Sequence, residues 1–470
     1  MKSFTNFRFL LLLLLIIIFG FFLRLKDYDM VPSPYEDFDE VHYAWGGATW
    51  LKEGTPRSWS YLNSYKNSTE VERFGVKWKI VSPVIEKQPL YFWLSGANVN
   101  LLHGGEVFDV THRTIRILPI LLGIVTVFLT GTVAALVFGK NVGLISSLLF
   151  STNPTIVLAN RMSVTENLIT PLLLGTLLTV LLFLKNKVTF KISLVTVALL
   201  SFLAMLTKQI GVTVGLAAAT VYIANKKYLG GVIAFAAVGL SVLVYVLIGY
   251  LYDFSLWASL QNDVKVKTIA GLPEVINAIF AYPGISAKNR LFFDGGMLAS
   301  IILFATSPFW ISGDKKIKVN DPVFIFLVFP FMYLTLMVLG ASGSGAFSYF
   351  NKYIYPLFPF SSILLAVFMA KLWKSLGFFE MLFLMLILGS TTIRFGFLFL
   401  GRQYHYLWQY TFLLAFMVFL VSWIFAKYRR IVITFYFIIF LMVNVLVVMN
   451  LIWIYPAETE RLSDLLKLFR

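Results

Sequence analysis

The sequence predicts an all-α polytopic membrane protein, folded as a single domain over residues 1–470, with about thirteen transmembrane helices. Hydrophobic residues make up 59% of the chain and charged residues only 13%. Runs such as Leu10–Ile18 and Ile431–Leu451 are too apolar for the core of a soluble protein, and about 20 mostly apolar residues cross the roughly 30 Å of hydrocarbon in a bilayer. A further observation, the placement of the positive charges, gives the topology.

The chain carries a formal net charge of +16, which by itself would suit a nucleic-acid-binding protein. The lysines and arginines, however, are clustered in short joints between apolar runs, where positive charge marks the cytoplasmic side of a membrane protein. We therefore expect no nucleic acid partner. The chain has no cysteine, so disulfides and thiolate metal sites are excluded.

The apolar runs give thirteen candidate spans. They fall near residues 9–25, 115–138, 142–158, 168–184, 192–206, 211–225, 229–250, 298–312, 322–340, 353–370, 376–398, 409–426 and 431–452. When the N-terminus is placed in the cytoplasm and the sides alternate, every basic joint falls on the cytoplasmic side, as the positive-inside rule requires. These joints carry Lys140; Lys185, Lys187 and Lys191; Lys226 and Lys227; Lys315, Lys316 and Lys318; Lys371 and Lys374; and Lys427, Arg429 and Arg430. The sequence thus predicts a multi-pass protein of the cell membrane with its C-terminus outside.

The first apolar run begins like a secretory signal, because Lys2 and Arg8 precede or open it. No small residues follow at a cleavage position, since residues 20–24 read Gly-Phe-Phe-Leu-Arg. We therefore expect an uncleaved signal anchor that forms the first span.

Two long segments lie on the outer face in this topology, residues 26–114 and 251–297. The first combines acidic, aromatic and basic residues, and we expect it to hold helices that lie along the membrane surface. Shorter outer turns are predicted at 159–167, 341–352 and 399–408. The tail 458–470 has the spacing of a short amphipathic helix, with Leu462, Leu465, Leu466 and Phe469 on its apolar side. The polar residues suited to catalysis or binding are therefore expected on one face of the membrane.

The first outer loop opens with four carboxylates in five residues, namely Glu36, Asp37, Asp39 and Glu40. Glu36 and Asp37 are typical of a solvated acidic turn. At Asp39 a helical pattern begins, and its spacing places on one face Asp39, His42, Tyr43 and Gly46. A carboxylate at the start of a helix is favoured by the helix dipole and can accept a proton from an attacking hydroxyl. Asp39, with Glu40 beside it, is therefore a catalytic candidate; the alternative is a solvated turn throughout.

A second motif covers residues 83–94 and reads Pro-Val-Ile-Glu-Lys-Gln-Pro-Leu-Tyr-Phe-Trp-Leu. Two prolines flank a charged segment, and an aromatic helix follows. In a purely structural interpretation this is an interfacial belt of tyrosine and tryptophan with a snorkelling Lys87. In a functional one, Lys87 meets a phosphate near the bilayer surface, and Glu86 orients that lysine or binds a metal.

Together the two motifs, about 45 residues apart, resemble those of the type C glycosyltransferases, in particular the protein O-mannosyltransferases and the lipid A aminoarabinose transferases. Three later segments agree with the resemblance. They are residues 160–166 (Asn-Arg-Met-Ser-Val-Thr-Glu), 203–211 (Leu-Ala-Met-Leu-Thr-Lys-Gln-Ile-Gly) and 349–359 (Tyr-Phe-Asn-Lys-Tyr-Ile-Tyr-Pro-Leu-Phe-Pro). The resemblance extends from residue 1 to about residue 370.

The resemblance implies an enzyme of the type C glycosyltransferase fold that takes a hexose or pentose from a polyprenyl-phosphate carrier. The sugar would pass to a lipid, glycan or protein acceptor at the outer face, with inversion at the anomeric carbon. Asp39 would be the base. The candidates for binding the donor phosphate are Lys87, His42, Lys208 and Lys352, and the candidates for the acceptor side are Arg161, Glu166 and Tyr91.

The chain also departs from the family. His42 stands where relatives often have arginine, and a neutral histidine binds phosphate less reliably. Lys352 stands in place of a more usual arginine, which keeps the charge and loses the bidentate fork. A divalent metal is a candidate at Glu86, although residues 251–297 hold no histidine to share it.

Structural alternatives remain for several candidates. Lys208 would cap an outer turn, Lys352 would snorkel from its span, and Arg161 would pair with Glu166. For the whole chain, the alternatives are a transporter or flippase for lipid-linked sugars and a non-catalytic membrane scaffold. Transporters usually carry polar or charged residues within their spans. The middle of each span is here nearly free of charge, which favours the enzyme.

Overall fold

The computed structural model describes residues 2–33, 37–73, 75–268, 295–311, 318–340, 350–400 and 407–454. The tail 458–470 and most of the predicted segment 251–297 lie outside these ranges. The N-terminal part contains helix α1 (Lys2–Leu25), helix α2 (Asp39–Glu53), strands β1 (Ser58–Trp59), β2 (Thr69–Arg73) and β3 (Val76–Val81), helix α3 (Pro89–Leu102) and the single turn α4 (His112–Ile115).

The rest of the described chain is helical. Its helices are α5 (Ile117–Phe138), α6 (Lys140–Thr152), α7 (Pro154–Ala159), α8 (Glu166–Leu184), α9 (Phe190–Thr207), α10 (Val212–Ala224), α11 (Tyr228–Thr268), α12 (Gly295–Trp310), α13 (Pro322–Gly340), α14 (Phe350–Tyr353), α15 (Phe358–Leu372), α16 (Phe378–Phe399), α17 (Trp408–Ile424) and α18 (Arg429–Met449). Each of the thirteen predicted spans coincides with one of these helices or, for 142–158, with the pair α6 and α7.

Within the described residues, eight helical stretches are long and apolar enough to cross a membrane. They are Phe7–Leu25, His112–Phe138, Glu166–Leu184, Phe190–Thr207, Tyr228–Asp263, Tyr355–Leu372, Phe379–Gly396 and Arg429–Met449. Four shorter apolar helices accompany them, at Gln209–Ala224, Leu298–Trp310, Pro322–Met337 and Trp408–Val421. The chain is thus a multi-pass membrane protein, and the count of thirteen spans stays a prediction.

A small antiparallel sheet in the first loop departs from the all-α prediction. The strand order is β1-β3-β2, with Ser58 opposite Val81 and Thr69 opposite Ile80. The sequence carries part of the signal for it, because residues 76–80 alternate apolar side chains with lysine directly after Gly75, whose φ is 71°. The sheet packs Trp78 and Ile80 against α2.

Helices α2 and α3 touch backbone to backbone. A Cβ added at Gly47 would lie 1.8 Å from the carbonyl oxygen of Phe92, and one added at Gly96 would lie 2.1 Å from the carbonyl carbon of Gly47. Only glycine allows so close a crossing. The crossing fixes the position of Asp39, at the start of α2, relative to Lys87, just before α3.

Helix α11 bends at Asp253, whose backbone is extended (φ −164°, ψ 101°). The Asp253 carboxylate accepts hydrogen bonds from the Leu256 N–H at 2.9 Å and the Ser255 hydroxyl at 2.9 Å, so it caps the part of the helix that follows. This second part docks on the first loop. Gln261 donates to the Glu86 carbonyl at 3.3 Å, and the Ser64 hydroxyl donates to the Asp263 carboxylate at 2.6 Å.

Candidate functional site

The site is centred on Asp39, the first residue of α2. Its Oδ1 accepts a hydrogen bond from Lys87 Nζ at 2.6 Å, and its Oδ2 accepts one from Lys352 Nζ at 2.5 Å. Lys87 lies two residues before Pro89, which opens α3, and Lys352 lies in α14. Three segments that are far apart in sequence therefore meet at one carboxylate.

The Asp39 side chain is 17% exposed, so a small part of it faces open space. Burial alone raises the pKa of Asp39, but the charges of Lys352 and Lys87 outweigh burial and hold the pKa well below its usual range. Burial lowers the pKa of Lys87, but the charges of Asp39 and Glu86 together more than reverse this. The aspartate is thus ionised and both lysines are protonated at neutral pH.

Asp37, which the sequence analysis placed in a solvated acidic turn, is in fact buried. Its side chain is 9% exposed, its Oδ2 accepts a hydrogen bond from Lys352 Nζ at 2.8 Å, and its Oδ1 accepts one from the Asp39 N–H at 3.0 Å. That expectation was wrong for Asp37 because Lys352, remote in sequence, supplies the countercharge that permits burial. Glu36 lies outside the described residues.

A second ion pair adjoins the first. Lys208, which ends α9, lies 2.5 Å from the carboxylate of Glu166, which begins α8 and is fully buried. The Lys208 ammonium also lies 3.9 Å from the centre of the Tyr353 ring, next to Lys352 in sequence. Glu166 therefore pairs with Lys208 and not with Arg161, as the structural alternative had it.

The six side chains of the two ion-pair groups balance in charge. The carboxylates are Asp37, Asp39 and Glu166, and the cations are Lys87, Lys208 and Lys352. A phosphate that binds here must therefore compete with carboxylates for the lysines.

Glu40, the second catalytic candidate, is instead fully occupied. Arg116 binds both of its oxygens, at 2.7 and 3.0 Å, and the Ser163 N–H donates to Oε2 at 2.9 Å. Both Glu40 and Arg116 are completely buried. Glu40 therefore anchors the start of α2 to α5 and offers no oxygen to a substrate. Sequence reasoning missed Arg116, for which no local signal exists.

Arg161 was expected on the acceptor side and lies elsewhere. It is buried and donates to three main-chain carbonyls, those of Leu23 at 3.0 Å, Val31 at 3.1 Å and Arg24 at 3.2 Å. The last carbonyls of a helix have no partner within the helix. Arg161 satisfies two such carbonyls at the end of α1 and ties Val31 to them.

Tyr91 lies beside the site. Its hydroxyl is 3.1 Å from the Ser163 hydroxyl, and its ring packs edge-on against that of Tyr43 with the ring centres 5.0 Å apart. The Tyr43 ring in turn lies 4.9 Å from the Lys87 ammonium. Tyr91 is buried and therefore supports the ring of Tyr43, which packs against the Lys87 ammonium group.

His42 is not a cation in this fold. Burial, followed by the nearby charge of Lys87, lowers its pKa to about 3. Nδ1 lies 2.8 Å from the Trp59 carbonyl and therefore carries the proton, which leaves Nε2 as an acceptor. A buried, neutral ring supplies no positive charge, so the structure does not support His42 as a phosphate-binding cation.

Glu86 and His42 lie close together, with Glu86 Oε1 at 3.6 Å from His42 Nε2. Glu86 also accepts a hydrogen bond from the Ser60 hydroxyl at 2.8 Å, and burial raises its pKa to about 7. Among the described residues, no group of three or more histidine, aspartate or glutamate side chains is arranged to hold a metal ion. The metal candidate Glu86 thus has one histidine neighbour, from its own loop.

Comparison with known proteins gives the same picture of the fold. The model of the dolichyl-phosphate-mannose-protein mannosyltransferase family matches residues 87–252. The crystal structure of ArnT from Cupriavidus metallidurans bound to undecaprenyl phosphate is similar over 96% of this chain and 77% of that one, with 14% identity and a TM-score of 0.58. The apo form of the same protein is similar over 97% and 78%, with 13% identity and a TM-score of 0.57. A search of the curated proteins finds no match.

These matches confirm the resemblance that the sequence analysis stated. The chain has the polytopic membrane fold of ArnT, a type C glycosyltransferase fold, and the family model covers the segment that begins at Lys87.

Proposed function

We propose that this chain, which has the fold of the type C glycosyltransferases, is a glycosyltransferase that moves a sugar from a polyprenyl-phosphate donor to an acceptor. One observation carries the proposal: Asp39 lies between the ammonium groups of Lys87 and Lys352, at 2.6 and 2.5 Å. A base and two cations within one site are what transfer from a phosphate-linked sugar requires. The dolichyl-phosphate-mannose in the name of the matched family and the undecaprenyl phosphate bound in the matched ArnT structure support a lipid-phosphate donor.

The reaction divides between the two kinds of side chain. The oxygen of an acceptor hydroxyl attacks the anomeric carbon, and its proton passes to the Asp39 carboxylate. A new carbon–oxygen bond forms while the bond between the anomeric carbon and the phosphate oxygen breaks, and the electron pair leaves with the phosphate. Lys87 and Lys352 stabilise the charge that develops on this leaving group, which is usually the largest catalytic contribution. Attack opposite the leaving group inverts the anomeric carbon.

Lys208 and Glu166 supply the rest of the site. Lys208 is a further cation for the donor phosphate, and the buried Glu166 carboxylate holds it in place. Burial lowers the pKa of Lys208, but the Glu166 carboxylate, with smaller contributions from Tyr353 and Tyr43, raises it above its usual value. Lys208 is therefore protonated at neutral pH.

The site lies on the outer face of the cell membrane in our proposal, with the N-terminus in the cytoplasm. Four segments are expected on that face: 26–114, 159–167, 251–297 and 341–352. Residues of the first segment contact residues of each of the other three, in the pairs Ser163–Glu40, Ser64–Asp263 and Lys352–Asp37. A donor with an apolar tail in lipid and a charged head near water fits such a place. Its acceptor is a lipid, glycan or protein, and the sugar is a hexose or pentose.

The test is transfer by the full chain reconstituted in proteoliposomes. Labelled polyprenyl-phosphate mannose and polyprenyl-phosphate aminoarabinose serve as donors, and an extract of membrane lipids and envelope glycans serves as acceptor. We expect label in the acceptor fraction and release of polyprenyl phosphate, both lost in D39N. The matched control is D109N, which removes a carboxylate of the same loop from an exposed pair with Arg73. Transfer that persists in D39N would refute the proposal, and movement of intact donor across the bilayer without transfer would favour the flippase.

A further inference from the structure

Asp37 has no part in the reaction as described so far. We propose that Asp37 is a positioning residue for the transfer: it shares Lys352 with Asp39 and keeps that lysine in place when the donor phosphate binds, which frees Asp39 to act as the base. The inference rests on the proposed function and assigns a role to a residue that the sequence motif does not single out.

The geometry of Asp37 supports this role. One carboxylate oxygen accepts the N–H of Asp39 at 3.0 Å, and the other accepts Lys352 Nζ at 2.8 Å. Asp37 is thus fixed to the backbone of the base and bound at the same time to the cation that neutralises the base. Lys352 Nζ lies between the two aspartates, 2.8 Å from one and 2.5 Å from the other.

Asp39 needs such a partner because two ammonium groups weaken it as a base. Protonation of a carboxylate that binds two cations gives up both ion pairs, which is why opposite charges within a few ångströms favour the ionised form. A donor phosphate attracts Lys87 and Lys352 away from Asp39. Lys352 can make this exchange without leaving the site, because Asp37 still binds it. Without the charge of Asp37, Lys352 would bind Asp39 more strongly and the base would be weaker.

A purely structural role for Asp37 predicts something different. The Asp37 carbonyl and carboxylate both accept hydrogen bonds from the first turn of α2, so the residue also resembles a helix cap. Asparagine caps helices about as well as aspartate. D37N therefore keeps the cap and removes the charge, and the two roles can be separated.

The experiment compares D37N with wild type in the proteoliposome assay and measures kcat and the donor KM separately. We expect kcat to fall about tenfold or more while the donor KM stays unchanged or falls, because the site gains one positive charge. The control D109N should behave as wild type. Wild-type kcat in D37N, or a lower kcat together with a raised donor KM, would overturn the inference.

A double-mutant cycle tests whether Asp37 acts through Lys352. In a K352Q background, D37N should change kcat by less than about threefold, since the lysine that Asp37 holds is gone. A loss as large as in the wild-type background would overturn the inference. If D37N does not reach the membrane, D37E takes its place, because it keeps the negative charge and displaces it. A lower kcat in D37E with retained binding of undecaprenyl phosphate supports the role of Asp37. A wild-type kcat in D37E contradicts it.

The outcome separates the two proposals. Transfer by wild type that is lost in D39N supports the proposed function whatever D37N does, so a D37N enzyme of wild-type activity refutes only the role of Asp37. A wild-type chain that transfers neither sugar refutes both.

Discussion

Asp39 and Lys352 are 313 positions apart in the chain, yet Asp39 Oδ2 and Lys352 Nζ are 2.5 Å apart in the fold. The contact joins the start of α2 to α14, the short helix before α15. The start of α2 is held on its other side by the buried Glu40–Arg116 pair.

The buried Glu40–Arg116 pair should be a large contributor to stability. In E40A, Arg116 would remain buried without its carboxylate, which typically costs about 3–5 kcal/mol. The matched control is E53A, which breaks the exposed pair of Glu53, the last residue of the same helix, with Arg57 beyond it; exposed pairs contribute about 0.2–1 kcal/mol. Thermal unfolding of the two variants in detergent measures the contrast. Equal melting temperatures for E40A and wild type would contradict the anchoring role.

The glycine crossing should tolerate no side chain. In G47A the new methyl group would collide with the Phe92 carbonyl oxygen at 1.8 Å, and α2 and α3 would have to separate. We expect little folded protein, although alanine favours a helix over glycine by roughly 0.5–1 kcal/mol. The control is G104A, since a Cβ at Gly104 meets nothing within 4 Å. The yield of monodisperse protein after size-exclusion chromatography checks the prediction, and a G47A chain with wild-type yield would contradict it.

Glu86 should make stability fall as pH rises. Burial raises its pKa to about 7 in the folded chain, from the usual 4.5 of a glutamate. The folded state thus binds a proton that the unfolded state releases, so stability is greatest below about pH 4.5 and declines until about pH 7. In E86Q this part of the pH dependence should vanish, whereas E70Q, at an exposed position of β2, should keep it. Melting temperatures between pH 5 and 8 measure the difference; parallel curves for E86Q and wild type would refute the assignment.

The outer-face topology can be tested with a sequence that the chain already contains. Residues 67–69 read Asn-Ser-Thr, and Asn67 is exposed in the first loop. When the chain is translated into eukaryotic microsomes, an outer loop faces the lumen, where this acceptor sequence is glycosylated. We expect a mass increase that glycosidase removes and that N67Q lacks. Two results together would reverse the topology. The wild-type loop would stay unglycosylated, and the predicted cytoplasmic joints would be glycosylated when the same acceptor sequence is inserted into them.

The helices of this protein could be predicted from sequence because the bilayer makes local composition decisive. Every predicted span falls on helical segments, and Asp39 and Lys87 were identified as a pair from two short motifs. The small sheet was not predicted, because residues 69–73 are almost all polar and only residues 76–80 alternate in polarity.

The countercharges could not be predicted in the same way. Arg116 pairs with Glu40 across 76 positions, and Asp37 is buried only because Lys352 approaches it from 315 positions away. A side chain whose partner is set by the tertiary fold carries no local pattern. For the same reason, Arg161 looked like a substrate contact and proved to bind the end of α1, and His42 looked like a phosphate contact and proved to be a neutral ring held by Trp59.

The bend at Asp253 has a mechanical consequence. Beyond it, α11 leaves the direction of its membrane portion, and Gln261 and Asp263 bind the first loop at the Glu86 carbonyl and at Ser64. The bend therefore connects a membrane-spanning helix to the residue next to Lys87. We expect a tilt of the membrane portion of α11 to shift the Glu86 carbonyl and, with it, the position of the Lys87 ammonium group.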